Sequence, residues 1–81
     1  MSKRVRVQYF AVMREERGRE VEDIETEAGT AGELYSMLQT EHGFSLPAHL
    51  VAVAVNGKLC STDVTLYDGD EVVLLPPVAG G

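Results

Sequence analysis

Residues 30–43 read TAGELYSMLQTEHG, and this stretch decides the fold. Thr30 followed by Glu33 is a T-x-x-E capping box, in which each side chain satisfies one orphan backbone N–H at a helix start. Ala31, Leu34, Tyr35 and Leu38 recur at the spacing that puts one apolar stripe against a core. Gly43 suits the left-handed position just past a helix end. The pattern predicts a helix over about residues 31–42. No other stretch of the chain carries it.

On either side the periodicity changes from helical to alternating. In VRVQYFAVM, Val5, Val7, Tyr9, Ala11 and Met13 point one way and Arg4, Arg6, Gln8, Phe10 and Val12 the other, as in a half-buried strand. REERGRE reads as a charged connection. VEDIETEAG is a weaker strand whose apolar residues, Val21 and Ile24, are three apart, which predicts a bulge or twist. After the helix, FSLPAHL is an irregular crossing. VAVAV alternates with Val51, Val53 and Val55 on one face. Asn56-Gly57 is a two-residue type I′ hairpin signal, and KLCS is the return strand. EVVLL is apolar on both faces and therefore reads as a central strand. The order β-β-α-β-β-β, with one main helix on one face of a mixed sheet, is an α+β fold of the ubiquitin-like β-grasp kind. A ferredoxin-like fold needs a second helix.

The 81 residues are enough for one domain with a modest core. A net charge of −6 argues against a nucleic-acid partner, since phosphate backbones demand clustered positive charge. No apolar run is long enough to span a membrane, and MSKRVRVQYF lacks the apolar segment of a secretory signal. A single cysteine, Cys60, cannot form an internal disulfide, and together these features point to a cytoplasmic protein.

The stretch LLPPVAGG ends the sequence at Gly81. Pro76 and Pro77 lack N–H groups and fix φ, so they stop sheet pairing and favour an extended chain of about 3.1 Å per residue. Gly80 and Gly81 carry no Cβ, so their backbone fits a channel too narrow for side chains. The expected organisation is a β-grasp domain over residues 1–75 and an extended diglycine tail over 76–81. A terminal carboxylate is ionised at neutral pH and a poor electrophile, so another protein must activate it. The plain alternative is a solvated, glycine-rich chain end.

YFAVMRE near the start, VNG at the second hairpin and LYDGDEVVLLPPVAGG at the end resemble the small-subunit family of molybdopterin synthase, along essentially the whole chain. The family's tail reads as an aromatic or aliphatic residue followed by P-P-V-x-G-G. Leu75 stands where phenylalanine is common, and Ala79 occupies the variable position. Related carriers for thiamine synthesis or transfer-RNA thiolation share Gly-Gly but usually lack P-P-V. The resemblance implies that a ubiquitin-activating-type enzyme, using ATP and Mg²⁺, adenylates Gly81, and that a persulfide donor converts the adenylate to a thiocarboxylate. It further implies that Pro76, Pro77, Val78, Ala79 and Gly80 thread into a large synthase subunit, in a heterotetramer. There the sulfur attacks cyclic pyranopterin monophosphate (precursor Z), building the molybdopterin dithiolene. The catalytic groups then belong to the partner, and this chain itself binds no cofactor.

Phe10, Leu59 and Leu75 are candidates for one exposed apolar patch, at positions the family uses to dock partners, and Arg14 with Glu15 matches the family's R-E. Cys60 has no recognisable cation or helix N-terminus beside it to stabilise a thiolate, so it reads as a structural cysteine. His42 and His49 lack a ligand set for zinc, and no metal site is expected. Glu15, Glu16, Asp68, Asp70 and Glu71 read as turn formers and solvated surface. Three other functions fit the tail chemistry less fully: a ubiquitin-like modifier joined to lysines through Gly81, a sulfur carrier for another pathway, and a non-reactive interaction module.

Overall fold

A computed structural model describes residues 2–77. The elements are β1 (Lys3–Tyr9), α1 (Ala11–Arg17), β2 (Val21–Thr26), α2 (Ala31–His42), a 3₁₀ turn (Ala48–Leu50), β3 (Ala52–Val55), β4 (Lys58–Cys60) and β5 (Glu71–Leu75). The five strands lie in the order β2-β1-β5-β3-β4. Only β1 and β5 run parallel. This is the β-grasp arrangement, with β5 at the centre.

α2 occupies the span its periodicity predicts. Ala31, Leu34, Tyr35 and Leu38 are all buried, against Val5, Val7, Tyr9, Val53, Val72 and Leu74 of the sheet. Thr30 Oγ1 accepts the Glu33 N–H at 3.2 Å, while the Glu33 carboxylate accepts from Gly29 N–H at 2.8 Å, one residue earlier than a capping box requires. Gly43 closes the helix at φ 71°. The start of α2 is strapped to the loop before β5: Gly32 N–H donates to Thr62 O at 2.7 Å, and a Cβ on Gly32 would meet that oxygen at 3.1 Å. Tyr35 Oη and Gln39 Nε2 both donate to Leu46 O, fixing the crossing after the helix and seating Phe44 in the core.

Three sequence expectations are corrected. First, β1 ends at Tyr9, and the residues read as its continuation and as a charged connection form α1, so the described residues contain two α-helices. Met13 is buried as the alternation suggests, but from a helix. α1 is only seven residues long, has no side-chain cap and buries Met13 alone, so it has little intrinsic stability for a pattern to reveal. Second, β2 has no bulge. Its register with β1 runs unbroken from Lys3↔Thr26 to Gln8↔Val21, and its inward row is Glu22, Ile24 and Thr26 rather than Val21 and Ile24. Third, Asp70 is not solvated surface; it is a buried carboxylate.

Asp70 joins two turns. Its Oδ1 accepts from Asn56 Nδ2 and its Oδ2 from Tyr67 N–H, while Asn56 Oδ1 accepts from Glu71 N–H. Asn56 and Gly57 adopt φ 53° and 86°, the left-handed pair that a type I′ turn requires. The hairpin tip is thereby tied to the entry of β5. Replacing Asp70 with alanine removes both accepted bonds and orphans their donors. Denaturant unfolding should show a loss of about 1–3 kcal/mol.

Candidate functional site

The candidate site begins where the chain leaves the sheet. Leu74 lies between Tyr9 of β1 and Val53 of β3, and Leu75 pairs with Ala52. Both sides of β5 are therefore hydrogen-bonded up to its last residues, after which Pro76 and Pro77 offer no N–H. Val78, Ala79, Gly80 and Gly81 lie outside the described residues.

α2 covers one sheet face; the other is open. On it the register lays out rows across the strands: Asp23–Arg6–Glu71, then Val21–Gln8–Val73–Ala54–Leu59, then Leu75–Ala52. Phe10 is one extended residue past Tyr9, so continuing the β1–β5 register puts it level with Leu75. Three inter-strand steps and one pleat, about 16 Å in all, separate it from Leu59. The face is thus charged at one end and apolar at the end where the tail departs. Leu59 is 70% exposed and Phe10 38%, and Leu75 is half-buried. The structure brings all three onto one surface. Arg14 is exposed on α1, and no ion pair joins it to Glu15 among the described residues.

Phe10 closes β1 in an extended conformation (φ −126°, ψ 153°), and the next residue, Ala11, takes φ 54°. A left-handed alanine costs about 1–2 kcal/mol. That turn swings α1 under the sheet, where Met13 enters the core, and leaves Phe10 on the open face. The other end of α1 is held by a cluster that the sequence reading missed. The Glu22 carboxylate accepts from Tyr9 Oη at 2.5 Å and from Arg17 Nε and Nη2 at 2.9 and 2.8 Å. Its side chain is 8% exposed. The available signal was the alternation of β2 read back from Ile24, which turns Glu22 inward.

Arg17 holds the Glu22 carboxyl below the usual range against the opposing effect of burial, with Tyr9 assisting. Burial, then Glu22, raises the Tyr9 hydroxyl above its ordinary value. Hydrogen bonds from Arg6 depress Asp23, and those from Ser45 depress Glu16.

Elsewhere the groups that could suggest catalysis are dispersed. Ser36, His49 and Asp63 line a cavity of about 620 Å³ beside α2, but no hydrogen bond among the described residues links them. His42 packs on Phe44, and Cys60 donates its S–H to Val53 O from the edge strand β4. Among the described residues there is no group of three or more potential metal-ligating side chains and no helix long and apolar enough to cross a membrane.

The model of the ThiS family matches residues 7–81. The molybdopterin synthase sulfur carrier subunit of Escherichia coli (strain K12) is 32% identical, over 95% of this chain and 99% of that protein. A chain in the complex of subunits 1 and 2 of molybdopterin-converting factor from Helicobacter pylori is 33% identical. It superposes with a TM-score of 0.62, covering 96% of this chain and 99% of that one. Small archaeal modifier protein 1 of Haloferax volcanii, at 23% identity, shares the fold with a TM-score of 0.74 over 96% and 99% of the two chains.

Two measurements check this description. The depressed carboxylates lend stability that is complete above the ordinary carboxylate range. That stability is lost as pH falls through the range toward their folded values, because the unfolded chain takes up protons first. Unfolding midpoints should therefore drop from about pH 5 downward, and Glu22→Gln should make the drop shallower. Leu59→Asp should shift the unfolding free energy by less than about 0.5 kcal/mol, since that side chain stands in water.

Proposed function

The chain belongs to the ThiS family, and on that premise we propose that it is the sulfur carrier subunit of a molybdopterin synthase, working through Gly81. The observation that carries this reading is the departure of the tail from a doubly paired central strand, beside an exposed apolar surface. Phe10, Leu59 and Leu75 can hold a partner on the face from which the tail departs, and Arg14 is exposed on the adjoining α1. The relatives support it too: one is a sulfur carrier subunit by name, and the other was solved in complex with a second subunit.

In this reading the Gly81 carboxylate attacks the α-phosphorus of ATP in a ubiquitin-activating-type enzyme, expelling pyrophosphate and forming an acyl adenylate. Mg²⁺ on that enzyme neutralises the phosphates. A donor persulfide displaces AMP, giving an acyl disulfide, and a donor thiol reduces it to the thiocarboxylate with release of a disulfide. Pro76 to Gly80 carry the sulfur on Gly81 into the large subunit, and the last two residues, Gly80 and Gly81, bring no side chains into its channel. The sulfur attacks an oxygen-bearing side-chain carbon of precursor Z, the C–O bond there breaking as the C–S bond forms, and hydrolysis of the acyl link restores the carboxylate with sulfur left on the pterin. Two such cycles complete the dithiolene. The acids and bases for these steps come from the partners.

Incubation with the adenylating enzyme, ATP and a persulfide donor, followed by mass analysis of the last peptide, tests the proposal. The expected product has one sulfur in place of one oxygen at Gly81. Deleting Gly81 should abolish sulfur loading and pterin sulfuration while leaving the unfolding midpoint unchanged, because Leu74 is the last core residue of those described. Isopeptide conjugates to lysine without any thiocarboxylate would assign the chain to the modifiers instead.

A further inference from the structure

α1 has no side-chain cap and buries Met13 alone, yet the residue at its N-terminal boundary, Phe10, stands on the proposed docking surface. Its N-terminal end leaves β1 through the left-handed Ala11, a conformation that alanine does not favour on its own. A residue held in such a state needs the surrounding structure to impose it. The imposing contacts lie at the other end of the helix and along its side. Arg17 grips Glu22 through two hydrogen bonds, Tyr9 donates to the same carboxylate, Met13 is buried, and Glu16 accepts from Ser45 N–H at 3.0 Å. Glu22 alone joins three segments: the end of β1, the last turn of α1 and the inner face of β2.

We propose that Glu22 is a positioning residue for partner docking, holding α1 against the sheet so that the Phe10–Ala11 turn stays closed and Phe10 keeps its place beside Leu75. Without the carboxylate, Arg17 and Tyr9 lose their common acceptor. The strain at Ala11 is then free to relax, and Phe10 moves with it. This rests on the reading of the open face as the surface that meets the large synthase subunit. The linkage acts through Phe10, so the effect of Glu22 on binding must disappear when the Phe10 ring is absent.

A double-mutant cycle tests this, with the full chain titrated calorimetrically into purified large subunit of molybdopterin synthase. Glu22→Gln keeps the side-chain shape and should raise Kd about tenfold, equivalent to about 1.4 kcal/mol. In a Phe10→Ala background the same change should raise it less than about twofold, because the two residues act on one contact. Tyr9→Phe, which removes only a hydroxyl, should show the same coupling at smaller amplitude and serves if Glu22→Gln does not fold. Asp70→Asn weakens a lock at the opposite end of the sheet and should lower stability without moving Kd. An equal effect of Glu22→Gln in both backgrounds, or none in either, overturns the positioning role. Should Phe10→Ala itself leave Kd unchanged while the complex still forms, the reading of the open face falls, and this inference with it.

Discussion

The parallel pairing of β1 with β5 is the constraint on which the rest of the molecule depends. It joins the first strand to the last, from Arg6↔Glu71 to Tyr9↔Leu74. A parallel pair cannot be closed by a hairpin, so the chain between must cross a sheet face, and α2 makes that crossing. β3 then binds the free side of β5, which leaves β5 hydrogen-bonded along both edges. Its strictly buried residues, Val72 and Leu74, face α2. The tail consequently starts from the best-anchored backbone in the fold.

The same pairing sorts the open face. Register sets Arg6 between Asp23 and Glu71, and one pleat further along it sets Gln8, Val73, Ala54 and Leu59 in a row. Charges are matched across the strands at the end far from the tail, where Arg4 also pairs with Glu25. Such exposed pairs contribute little to stability, but they keep that half of the face hydrated. Apolar side chains dominate the other half, where burying them against a partner returns free energy in proportion to area. One surface thus has a dry-seeking end beside the tail and a wet end away from it.

How much of this was legible differs from element to element. α2 was legible because its stripe, cap and stop signal agree, and Asn56-Gly57 because few residues tolerate two successive positive φ values. β5 was legible as central because both of its faces are apolar. α1 was not. Its residues satisfy an alternating pattern by coincidence, and the helix exists because Met13, Glu16 and Arg17 find partners in β1, β2 and the loop after α2. Glu22 was hidden for a related reason: a carboxylate in a strand reads as solvent-facing until Arg17 and Tyr9 are known to surround it. Asp70, likewise, looked like an ordinary turn residue, and its burial depends on Asn56, fourteen positions away.

The sequence by itself determined the class of fold, the long helix, the tight hairpin and the chemical character of the tail. Each of these follows from local periodicity or from the backbone limits of proline and glycine. Only the tertiary structure decided that Phe10, Leu59 and Leu75 share a surface, that the surface is apolar just where the tail departs, and that a short helix is clamped beside it. Those facts rest on strand order, register and a partly buried ion pair. They are relations between residues far apart in the chain, which local preference cannot encode.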